Sequence, residues 1–221
     1  DYLLPDGPIR NSAFAINAST ENLWVVFGGY ESRYDPYIYD DFGGPALYGI
    51  SKLSENQWLN IPASEVLGAK ALSSIEINPR NPNEVYISSY FSGLLKLEND
   101  IPTLLYTQTN TAPNGLENEQ TTGNPNDIRV NNPVFDKAGN LWLTNDLTAD
   151  ALKTLKANGQ WQRISLANVL SGLTSYGDLL VDKNSTKWMA SRRGVIGYNE
   201  NSGVFKVITE GSDEGNLPSP D

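Results

Sequence analysis

Cysteine and histidine are both absent from the 221 residues of this chain. Without cysteine, no part of the fold depends on redox state, which suits an exported bacterial protein. Without histidine, the commonest general base and the commonest zinc ligand are missing. No apolar run approaches the roughly 18 residues of a spanning helix, so the chain reads as not membrane-spanning. Positive charge is scarce too: 16 Lys and Arg against 26 Asp and Glu give a net charge of −10. That balance argues against nucleic acid or an anionic membrane as the main partner.

What is present is a repeat. Val134-Phe-Asp-Lys-Ala-Gly-Asn-Leu-Trp-Leu-Thr144 reads as strand, tight turn and strand. Asp, Gly and Asn supply the backbone angles that a short hairpin needs. The figure recurs from Leu180 to Trp188, and more loosely from Ile16 to Trp24 and from Ile77 to Tyr86. A second landmark, Trp58-Leu-Asn-Ile61 and Trp161-Gln-Arg-Ile164, closes two of the units. The landmark aromatics Trp24, Tyr86, Trp142 and Trp188 lie 62, 56 and 46 residues apart, and the two longer intervals hold evident insertions. Four strand-like runs per unit at this period predict an all-β fold of about four four-stranded antiparallel β-propeller blades. Blades are expected over approximately 9–61, 73–108, 128–164 and 176–209, within a single propeller fragment spanning 1–221.

The spaces between units divide by composition. Pro62–Ala71 and Ser165–Leu173 are expected as short helical connectors, and Thr109–Asp127 as a passive polar loop. Leu4-Pro-Asp-Gly-Pro8 and Leu217-Pro-Ser-Pro-Asp221 read as similar linkers at one phase of the repeat. The chain is therefore expected to be a portion of a larger ring, with terminal blades through which it self-associates.

Asp136-Lys-Ala-Gly-Asn-Leu-Trp-Leu-Thr144 resembles the signature of the two-component-regulator propeller repeats. Longer phrases resemble the PorZ-like branch of those repeats in the Bacteroidetes. They include Asn22-Leu-Trp-Val-Val, Leu67-Gly-Ala-Lys70, Ile77 to Tyr90 and Arg193-Gly-Val-Ile-Gly-Tyr-Asn-Glu200. The likeness covers nearly the whole chain. Blade two departs from it with Asn78-Pro-Arg, and blade four with Asn184-Ser185 where the motif has Gly-Asn. The resemblance implies a non-enzymatic component of the type IX secretion and cell-surface attachment machinery, exported to the periplasm or outer-membrane surface. Its partner would be a surface glycan or lipopolysaccharide, or a secretion-machinery protein. The alternative it implies is the periplasmic glycan-sensing ectodomain of a hybrid two-component sensor kinase.

Candidate sites are few. Tyr30, Tyr34, Asp35, Tyr37 and Tyr39 crowd one insertion after the first landmark tryptophan. Tyrosine faces beside carboxylates suit sugars, and the same composition suits a protein contact. Arg192 and Arg193 stand where a strand should turn, placed to meet an anionic group. Asp136 and Asp182 share a turn position, where a carboxylate accepts the turn's own amides. No calcium-loop spacing occurs and no pair of carboxylates is marked as catalytic, so no catalytic residue, metal or cofactor is expected.

Overall fold

In the computed structural model, residues 6–28, 46–170 and 172–209 are described. The first sheet holds β1 (Ala15–Ala18), β2 (Asn22–Val26), β3 (Ile50–Ser54) and β4 (Gln57–Ile61). The second holds β5 (Leu72–Ile77), β6 (Glu84–Ser89), β7 (Gly93–Glu98) and β8 (Ile101–Tyr106). The third holds β9 (Val130–Phe135), β10 (Leu141–Asn145), β11 (Leu152–Leu155) and β12 (Trp161–Ile164). The fourth holds β13 (Tyr176–Val181), β14 (Thr186–Ser191), β15 (Gly194–Asn199) and β16 (Val204–Ile208). Each is an antiparallel meander in chain order, the pattern of a propeller blade.

The hairpins close as their turn residues dictate. Glu55 and Asn56 join β3 to β4 with φ of 50° and 64°, and Asn99 and Asp100 join β7 to β8 with 49° and 69°. Two successive left-handed residues are what a two-residue hairpin matched to strand twist requires. The opening motif turns through Gly139 at φ 86°, with the Gly139 amide donating to the Asp136 carbonyl at 3.0 Å. In the fourth blade Ser185 takes the place of Gly139, at φ 64°, and its amide donates to the Asp182 carbonyl at 3.0 Å. Thr186 therefore stands where Asn140 does, one position later than the sequence comparison put it.

The first strands β1, β5, β9 and β13 are neighbours in succession. Between each pair of sheets, one landmark aromatic meets aliphatic side chains of the next. Trp24 packs with Ile75, Ile87 and Leu95, and Tyr86 with Val130, Leu141 and Leu143. Trp142 packs with Leu179, Met189 and Ile196. Burying a side chain of this size contributes about 2–3 kcal/mol each time. Polar clasps tie the same seams. Asn17 Nδ2 donates to the Ile75 carbonyl at 2.7 Å, the Phe135 amide to Glu76 Oε1 at 3.0 Å, and Asn131 Nδ2 to the Tyr176 carbonyl at 3.2 Å.

Two connectors differ from expectation. Residues 165–170 make a single turn in which the Val169 and Leu170 amides both donate to the Leu166 carbonyl, and no helix forms. Gly172, at φ 73°, leaves no room to continue it. The segment expected as passive is organised instead. It opens with a short helix α1 (Gln108–Thr111), and its Glu117 amide donates to Asn145 Oδ1 at 2.7 Å. Glu119 accepts the Thr121 amide at 2.7 Å and the Thr122 amide at 3.0 Å, and both threonine hydroxyls as well. Burial works to raise the Glu119 pKa, but these hydrogen bonds overcome it and hold the carboxyl at about 2.

Candidate functional site

In the second, third and fourth sheets the link between second and third strands lies at one end of the blades, beside the entry to the first strand. Here three links come together with the residues preceding β9 and β13. Tyr90 follows β6, Asp146 follows β10, and Arg192 and Arg193 join β14 to β15. Tyr90 Oη donates to Asp146 Oδ2 at 2.8 Å and lies 3.0 Å from Ser175 Oγ. The Tyr176 amide also donates to Asp146 Oδ2, at 3.1 Å, and the Asp146 amide donates to the Arg129 carbonyl at 2.8 Å. One carboxylate thus joins the second, third and fourth blades.

Arg129 forms the wall beside it. Its guanidinium grips Asp127 through two bonds, 3.1 and 3.0 Å, and lies 5.5 Å from the centre of the Tyr90 ring. Tyr90 and Asp146 are both wholly buried. Burial, with Asp146 nearby, pushes the Tyr176 phenol well above its ordinary value, and Arg193 opposes the shift. Arg193 therefore stands within electrostatic reach of Tyr176. Its amide donates to Ser191 Oγ at 3.1 Å, while Arg192 and Arg193 side chains are exposed.

Asp146 is enclosed, and its carboxylate accepts from two donors, Tyr90 Oη and the Tyr176 amide. Asp127 is spent on Arg129. Among the described residues, no three acidic side chains gather closely enough to share a metal ion. Among the described residues, this end presents Arg192 and Arg193 to solvent.

Of the residues singled out in sequence, Arg192 and Arg193 fall at this end. Tyr30, Tyr34, Asp35, Tyr37 and Tyr39 lie outside the described residues. They belong to the chain between β2 and β3, the corresponding link of the first blade. Tyr90, Asp127, Arg129, Asp146 and Ser175 were missed, because no motif marks them. The available signal was positional: Tyr90, Asp146 and Arg192 each follow the last residue of a second strand.

The hairpin-turn acids have a different task. Asp136 Oδ1 accepts the Asn140 amide at 2.9 Å, and its Oδ2 accepts Asn140 Nδ2 at 2.9 Å and the Trp142 indole N–H at 2.8 Å. Asp182 likewise accepts the Thr186 amide at 3.0 Å and the Trp188 indole at 3.0 Å. Lys187, wholly buried, sits 4.1 Å from the centre of the Trp142 ring and 3.4 Å from Glu200. Burial lowers its pKa, against the pull of Glu200 and Asp136.

No protein-family model matches the chain, and no curated protein matches it in sequence. Solved structures do match its fold. PorZ, described as an essential bacterial surface component of the type-IX secretion system of Porphyromonas gingivalis, superposes with a TM-score of 0.73 at 20% identity. That match covers 90% of this chain and 27% of PorZ. The extracellular domain of a hybrid two component system of B. thetaiotaomicron gives 0.63 at 14% identity, covering 92% of this chain and 23% of that one. Virginiamycin B lyase of Staphylococcus aureus gives 0.62 at 12% identity, covering 95% of this chain and 57% of the enzyme. The chain thus spans about a quarter of the first of these proteins. Blades of the propeller type found in PorZ and in the sensor domains are what these likenesses have in common with it.

Proposed function

We propose that this chain is a non-enzymatic recognition and scaffolding module of an exported, PorZ-like component of the type IX secretion and surface-attachment machinery. The observation that carries the reading is the enclosed Tyr90–Asp146–Ser175 junction, which stiffens a solvent-facing end bearing Arg192 and Arg193. The fold likeness to PorZ over 90% of the chain supports it. A stiffened junction with exposed Arg192 and Arg193 beside it suits capture of an anionic partner such as a lipopolysaccharide or an acidic protein face.

The likeness to sensor extracellular domains supports a second reading, in which the module senses a periplasmic glycan for a hybrid kinase. The parent reading frame separates them. A membrane helix and kinase favour the sensor, and an export signal with a β-sandwich favours the secretion component.

The direct test is a screen of the chain against a glycan array, lipopolysaccharide and surface-protein extracts. It is repeated with Arg192→Glu/Arg193→Glu and with Tyr34, Tyr37 and Tyr39 changed to Ala. Binding that disappears in folded variants is the expected outcome. Capture unaffected by either set removes both the arginines and the tyrosine insertion from the function.

A further inference from the structure

The opposite end of the blades holds an unassigned groove. Three cavities, of about 590, 390 and 430 Å³, surround the β11–β12 turn and share its residues. Volumes of this order are those of small-ligand sites. Trp161 lines two of them, half-buried, with Tyr106 holding its ring edge-on at 5.5 Å between centres. Its indole N–H meets no acceptor among the described residues, and it is not enclosed. The other landmark indoles differ: those of Trp142 and Trp188 are held by aspartates, and that of Trp24 is sealed inside.

The remaining lining is mostly carboxamide. Asn158 Nδ2 donates to Gln160 Oε1 at 3.2 Å, which leaves the Gln160 amide protons unspent. Gln162 and Asn114 make no side-chain hydrogen bond among the described residues. Carboxamides donate and accept in equal measure, as hydroxyl groups do. The cation of the largest cavity, Lys156, is balanced by Glu200 at 3.4 Å. An aromatic surface, spare two-way hydrogen bonding and, in the two cavities that Trp161 lines, no unbalanced charge describe a partner that is neutral, rich in hydroxyls and apolar on its C–H faces.

We propose that this groove binds a neutral oligosaccharide, one sugar ring lying on Trp161 and its hydroxyls meeting Gln160, Gln162 and Asn114. The site is separate from the arginine-bearing end and does not depend on that end's function.

The test uses the full chain with cellohexaose, maltohexaose and mannohexaose as probes, followed by calorimetry and indole fluorescence. At least one probe binds, and Trp161→Ala weakens it by at least about tenfold, equivalent to roughly 1.4 kcal/mol. The double variant Gln162→Ala/Asn114→Ala, on exposed side chains, reproduces the loss if Trp161→Ala fails to fold. Trp58→Ala leaves the affinity unchanged. No binding by any of the three probes overturns the proposal. So does affinity that survives both groove variants, or a neutral peptide library that binds at Trp161 where the sugars do not.

Discussion

Each blade presents an aromatic hydroxyl or indole N–H near its first turn, and the four blades meet it in three ways. Asp136 and Asp182 reach it from the turn. In the second blade Glu84, on the strand itself, accepts Tyr86 Oη at 2.9 Å, while Asn78 fills the turn and donates to Glu84 at 3.1 Å. In the first blade Ser19 holds the turn position, taking the Asn22 amide at 3.2 Å, and the Trp24 indole N–H is buried with no partner. A serine hydroxyl is simply too short. Replacing Asp136 by Ala strands the Trp142 indole and removes two further bonds, so a loss of about 2–4 kcal/mol in urea-melt stability is expected. Ser19→Asp acts in the opposite direction. It supplies the missing acceptor, and a gain of about 1 kcal/mol in the same melt checks it.

At the scale of elements, strand runs and turns were legible because alternation and turn chemistry are local. The fourth-blade register was misread by one residue because Ser185 occupies a left-handed position that usually announces itself with glycine. The segment 109–127 was misread for a different reason. Its polar composition signals a loop, but its order comes from Glu119 and from bonds to the third blade, which composition cannot express. This gives a pH prediction. A carboxyl held at about 2 when folded adds stability above its unfolded value near 4.5, and loses it as pH falls toward 2. Protection factors for amide exchange in residues 115–128 should therefore fall across that window, and Glu119→Gln should abolish that fall. Glu76 has the reverse sign. Burial raises its pKa between the first and third blades, so its ionisation opposes folding as pH rises. Of the candidate site, the arginines were legible and the carboxylate junction beneath them was not, since Tyr90, Asp146 and Ser175 meet only through folding.

For the molecule as a whole, the two end sheets differ from the inner ones. Ile75 and Leu179, which face a preceding blade, are 6% and 4% exposed, whereas their counterpart Ile16 is 66% exposed. Leu180, facing outward from the last sheet, is 64% exposed. Side chains that are core at inner seams are therefore in water at the two ends, at a cost of about 1.5–3 kcal/mol each relative to burial. Concentration-dependent association in sedimentation is expected, and Leu180→Lys should shift the chain toward monomer. A single monomeric species at every concentration would refute this.

The differing partners of the indoles also label the blades individually. In a proton–nitrogen correlation spectrum, the indole resonances of Trp142 and Trp188 should lie downfield, polarised by carboxylates. That of Trp24, dry but unbonded, should lie upfield and yet exchange slowly with deuterium. Resonances from the first, third and fourth blades would then fade at separate rates, so that the order in which the array comes apart can be read from three protons without altering a residue.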